Sequence, residues 1–112
     1  QIMQVKEKYG SPLIYITENG VATEDVLSEK NTISDEERIS FYKRYLTNLN
    51  KAINDGADVR GFYAWSFTDN FEWHRGYDMR FGMVYIDYEN QKRIPKDSFF
   101  FYKNLIESSV IS

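Results

Sequence analysis

The chain has 112 residues, a formal net charge of −3 and no cysteine. That length allows one modest core at most. The mild acidity offers no basic patch for nucleic acid, and the missing thiols exclude a disulfide framework. The single histidine, His74, cannot build a zinc site, and no apolar run reaches the roughly 18 residues of a membrane span.

Ile2, Met3, Val5, Lys6 and Tyr9 follow helical spacing, and Gly10 with Ser11-Pro12 stops the run. Leu13 to Thr17 is an unbroken apolar, β-prone stretch and predicts a strand buried on both faces, as in parallel sheets. Glu18 stands at its end, and Asn19-Gly20 predicts a turn. Val21 to Thr32 is polar and aperiodic, hence a loop. Ser34-Asp35-Glu36-Glu37 reads as a capping box, with Ser34 accepting from the amide of Glu37. Ile39, Tyr42, Leu46, Leu49 and Ile53 recur at three- and four-residue steps and predict an amphipathic helix, closed at Asp55-Gly56. Val59 to Ser66 predicts a second buried strand. Phe81 to Tyr88 predicts a third, outer one, turned at Glu89-Asn90-Gln91 and returning through Lys92 to Ile94. Pro95-Lys96-Asp97-Ser98 starts a last helix, with Phe101, Tyr102, Leu105 and Ile106 facing inward.

This order is a βαβ unit with a hairpin and a further helix, and such crossovers are right-handed. The two main strands are then parallel neighbours whose C-terminal ends point the same way. Glu18 follows the first; Trp65, Asp69, Glu72 and Trp73 follow the second. They share the edge where α/β proteins keep their chemistry. Spacing alone leaves plain alternatives open: Glu18 bonded to an arginine, Trp65 as core, Glu72 as an exposed loop carboxylate. Nine Tyr, eight Phe and two Trp exceed the needs of a small core. Core filling explains them, and sugar stacking is the leading functional alternative. Two parallel strands also leave both sheet edges free, which asks for further strands or self-association.

Four ordered motifs carry a resemblance. Ile16-Thr17-Glu18-Asn19-Gly20 resembles the nucleophile motif on the seventh barrel strand of family 1 glycoside hydrolases, the β-glucosidase family. Trp65 through Trp73 resembles the eighth strand and its loop. Gly76 through Gly82 with Val84 through Tyr88 resembles the segment that follows, and Lys92 through Ser98 the start of the last helix. The resemblance implies an α/β fold: the C-terminal β-α-β-α portion (strands 7 and 8) of a TIM (β/α)8 barrel. Residues 1–112 are then a single partial domain, since a complete barrel takes roughly 200 to 400 residues.

By the same resemblance Glu18 is the catalytic nucleophile, attacking the anomeric carbon to form a glycosyl ester. Glu72 accepts hydrogen bonds from glycone hydroxyls and Trp73 donates its indole N–H. Trp65 is the platform under the sugar ring, and Phe81 helps wall the pocket. The expected ligand is a small-molecule β-glycoside, with no cofactor and no metal. Asp69 and Asn70 shape the loop, Arg80 pairs with a carboxylate, and His74 has no firm role. A retaining glycosidase needs a second carboxyl group about 5 to 5.5 Å from the nucleophile, and no Asn-Glu-Pro motif to supply it occurs here. Two other readings stand beside this one. One is a truncated, self-associating, non-catalytic fragment that binds sugar weakly at most. The other is a small acidic α/β interaction module.

Overall fold

The computed structural model describes residues 1–111. Three helices (α1, Ile2–Tyr9; α2, Glu36–Asn54; α3, Asp97–Ser108) and four strands (β1, Ile14–Asn19; β2, Val59–Ala64; β3, Val84–Ile86; β4, Arg93–Pro95) follow the predicted order. β1 and β2 pair in parallel, with Ile14 opposite Val59 and Asn19 opposite Ala64. β3 and β4 form a separate antiparallel hairpin. Among the described residues these two small sheets do not close into a barrel.

The core sits between the β1–β2 sheet and the helices. Tyr42, Leu46 and Leu49 of α2 are buried beside Met83. Ile16, Val59, Phe62 and Ala64 pack against them from the sheet, and Phe101, Tyr102 and Leu105 from α3. The apolar spacing of α2 therefore does what it predicts, up to its last turn. Ile53 in that turn is exposed, as is Ile106 on α3, and neither joins the core.

The strands differ from expectation. β1 and β2 are not buried on both faces: Leu13, Tyr15 and Tyr63 lie exposed. The helices cover one side of the sheet only. On the open side Gly61 lies between two rings, and a Cβ there would stand 2.6 Å from the ring of Tyr15 and 3.1 Å from that of Tyr63. The third strand is shorter than the predicted 81–88. Residues before it bond instead to the continuation of β2. The Ser66 amide donates to the Phe81 carbonyl (3.2 Å), Met83 to Ser66 (3.0 Å) and Val84 to Phe67 (2.8 Å).

The capping box does not form. The first helical bonds of α2 start from the carbonyl of Asp35, from Arg38 (3.0 Å) and Ile39 (3.2 Å), so Asp35 occupies the cap and Ser34 is exposed. The Asp35 side chain makes no cap bond. It is buried, paired with Arg38, and accepts from the Ser98 amide at the start of α3 (2.8 Å). Glu36 and Glu37 in the first turn and Lys51 in the last still suit the helix dipole.

Candidate active site

The C-terminal ends of β1 and β2 are tied by main-chain groups. The Trp65 amide donates to the Asn19 carbonyl at 2.8 Å. The Tyr42 hydroxyl, rising from α2, lies 3.2 Å from the Trp65 carbonyl and 3.4 Å from that of Asn19. Burial pushes the Tyr42 phenol well above its usual pKa, so it stays a donor at any ordinary pH. Gly20 lets the chains meet here. A Cβ at that position would fall 1.7 Å from the Trp65 carbonyl oxygen. The Asn19-Gly20 pair was expected as a turn; its glycine is required by close approach. The Trp65-Ser66 peptide is cis.

Glu18, one residue before this clamp, is exposed, and no arginine or other side chain bonds to it among the described residues. The arginine-paired alternative therefore finds no arginine among the described residues. Trp65 is 39% exposed and Trp73 80%, so neither tryptophan is core. Trp73 sits in a single 3₁₀ turn, Trp73–Arg75, at φ 46°, a left-handed conformation that bulky residues rarely adopt. His74 is exposed in the same turn. Glu72 is half-buried, and the Asn70 side-chain amide donates to it at 3.4 Å. Asn70 in turn lies 3.2 Å from the Ser66 hydroxyl. Phe81 is half-buried, its carbonyl held by the Ser66 amide. Ser66 thus links Trp65, Glu72 and Phe81.

A cavity of about 690 Å³ opens between α1, β1 and α2, with Glu18 and Asn19 on its border. None of Trp65, Glu72, Trp73 or Phe81 lines it. Trp65, Glu72 and Phe81 are instead joined to one another through Ser66 and Asn70. Among the described residues no group of three His, Cys, Asp or Glu is placed to hold a metal ion.

Beneath the edge lies a feature that spacing did not reveal. Three carboxylates, Asp25, Asp35 and Asp69, face three cations, Arg38, Arg80 and Lys96, almost wholly out of water. Arg38 binds Asp25 at 2.9 Å, pairs with Asp35, and donates to the Arg80 carbonyl at 2.7 Å. Lys96 pairs with Asp25 and reaches Asp69 at 2.8 Å. Arg80 meets Asp69 at 2.6 Å while its guanidinium lies 4.0 Å from the Tyr85 ring centre and 4.7 Å from that of Tyr88. Burial alone would raise the Asp25 pKa, but hydrogen bonds from Arg38 and Lys96 and the Lys96 charge outweigh it and hold the carboxyl below the usual aspartate range. A signal was present for Arg38. It lies four residues before Tyr42, on the apolar stripe that continues through Leu46 and Leu49, and a charge on such a stripe must find buried partners. Asp25 and Lys96 carried no such mark.

The likeness to known proteins agrees with this layout. The chain belongs to glycosyl hydrolase family 1, whose family model matches residues 1–110. It is 46% identical over 108 residues to β-glucosidase A of Thermotoga maritima, covering 96% of this chain and 24% of that protein. It is also 46% identical over 113 residues to a 6-phospho-β-galactosidase of Staphylococcus epidermidis, covering 99% of this chain and 24% of the relative. A solved Thermotoga maritima β-glucosidase in complex with deoxynojirimycin superposes with a TM-score of 0.96 at 45% identity, over 99% of this chain and 26% of that one. The chain thus spans about a quarter of the length of these TIM-barrel relatives.

Proposed function

We propose that this chain is the seventh- and eighth-strand end of a retaining β-glycosidase, with Glu18 as its nucleophile. The observation that carries the reading is the placement of Glu18, exposed and without an ionic partner, at the clamped C-terminal edge of two parallel strands in a family 1 chain. A carboxylate serves here because it is nucleophilic when ionised and a competent leaving group from the glycosyl ester. Trp65 supplies an apolar platform for the sugar ring, Glu72 and Trp73 bond its hydroxyls, and Phe81 closes one wall. The left-handed backbone at Trp73, which holds its indole in solvent, fits a residue kept for ligand. The acid/base carboxyl lies outside this chain.

The substrate is a neutral β-glucoside or a related β-glycoside. The relatives include enzymes named for plain and for phosphorylated sugars, so overall likeness does not choose between them. The carboxylate of Glu72 does, because it repels a sugar phosphate. Replacing Glu18 by Gln in the full-length gene product tests the reading. Hydrolysis of an aryl β-glucoside should fall by on the order of 10⁴-fold or more, since removing a covalent nucleophile is among the costliest changes to a hydrolase. Retention of the parent rate would refute it.

A second reading, a non-catalytic fragment that associates with its own copies, is favoured by one observation. The open face of the β1–β2 sheet exposes Tyr15, Tyr63 and Trp65.

A further inference from the structure

The loop that carries Glu72 and Trp73 leaves the sheet at a buried carboxylate, Asp69. Its two oxygens take four donors. Oδ1 accepts from Lys96 Nζ (2.8 Å) and the Gly82 amide (3.0 Å); Oδ2 accepts from Arg80 Nη1 (2.6 Å) and the Ile86 amide (3.3 Å). Two of these partners, Arg80 and Gly82, flank Phe81 in sequence. Gly82 allows the approach, since a Cβ there would lie 2.2 Å from the Asp69 amide nitrogen. On the other side of Asp69, the next residue, Asn70, donates to Glu72 and is itself seated against Ser66. Asp69 thus stands between the two arms: its side chain bonds the residues on either side of Phe81, and its chain neighbour Asn70 bonds Glu72.

We infer that Asp69 is a positioning residue for glycone recognition: gripped by Arg80, Lys96 and Gly82, it sets the place of Glu72, Trp73 and Phe81. The inference rests on the reading of Glu72 as a sugar ligand. Asp69 never touches sugar. It acts through Glu72, so its effect and that of Glu72 must overlap.

The test is the affinity of the full-length protein for deoxynojirimycin. The Asp69→Asn/Lys96→Met pair removes one charge of each sign; Asp25 and Asp35 keep Arg38, and Arg80 keeps the Ile86 carbonyl and the Tyr85 and Tyr88 rings. Glu72→Gln should weaken binding roughly tenfold to hundredfold, the worth of a hydrogen bond to a charged group. The pair variant should weaken it by a similar factor, and combining the two should weaken it little further, because coupled residues are not additive. A pair variant that binds like the parent, or losses that multiply, would overturn the inference. Should the pair variant fail to fold, Arg80→Lys decides. It keeps the charge, but its side chain ends one atom short of the Nη1 that bonds both Asp69 and the Ile86 carbonyl, and it loses the flat guanidinium on the Tyr85 and Tyr88 rings. It should therefore weaken binding several-fold or more, and parent-like affinity would overturn the inference. If Glu72→Gln leaves affinity unchanged, or the parent does not bind, the sugar-ligand reading fails first and the positioning role falls with it.

Discussion

Glu18 gains its setting from its neighbours more than from its own contacts. Asn19 and Trp65 share a main-chain bond, Tyr42 donates into the same spot, and Gly20 yields the space. Gly20→Ala tests how tightly this clamp is built. The added methyl would overlap a backbone oxygen that cannot rotate away, so the strand ends must part. Overpacking of this kind costs about 1–3 kcal/mol, and we expect urea unfolding to show that loss. A loss below about 0.5 kcal/mol would mean that the clamp is loose. Glu18, Trp65, Glu72 and Trp73 were legible in the sequence as a carboxylate at the end of a β-prone run and an aromatic loop after a second one. The reason for Gly20 was not. A close approach between chain segments 45 residues apart leaves no local pattern, so an Asn-Gly pair reads as a turn.

At the scale of elements, α2 was legible because its buried side repeats at helical spacing. Its start was misread because Ser34 and Glu37 satisfy a local pattern while Asp35 is drawn to Arg38 and to the distant Ser98 amide. The choice follows from charge. Arg38 is buried on the helix stripe and must be met by carboxylates there, and leaving it unmet would cost more than a cap bond gains. The same network joins the 23–25 loop, the start of α2, the loop after β2 and the start of α3. It also predicts acid sensitivity. Because the folded state holds the Asp25 pKa below its usual value of 3.8, Asp25 contributes stability above that value. The contribution is lost as pH falls through the folded pKa. Urea midpoints measured between pH 7 and pH 3 should fall at the acid end, and less steeply for Asp25→Asn than for the parent. Equal slopes would show that Asp25 is not held ionised by Arg38 and Lys96. The burial of β1 and β2 was also misjudged. An apolar run says that a strand can be covered on both faces, and the cover itself must come from other elements. Here only the helix side has it.

The whole molecule is broad and thin, 50 × 34 × 18 Å along its principal axes. Its radius of gyration is 16.0 Å, against about 13 Å for a compact domain of this length. Such a shape leaves Tyr15, Tyr63 and Trp65 exposed on an open sheet face, apolar surface of the kind that association covers. We expect the isolated chain, when folded, to be a dimer or larger by sedimentation; a monodisperse, protease-resistant monomer would contradict this. On the proposed reading Glu18 is a nucleophile whose acid/base partner this chain does not supply. Hydrolysis of an aryl β-glucoside by the purified chain, beside Glu18→Gln, tests that most directly. Neither protein should turn over the glucoside. Turnover by the parent that disappears in Glu18→Gln would contradict that reading, because the chain would then assemble a working pocket and supply its own acid.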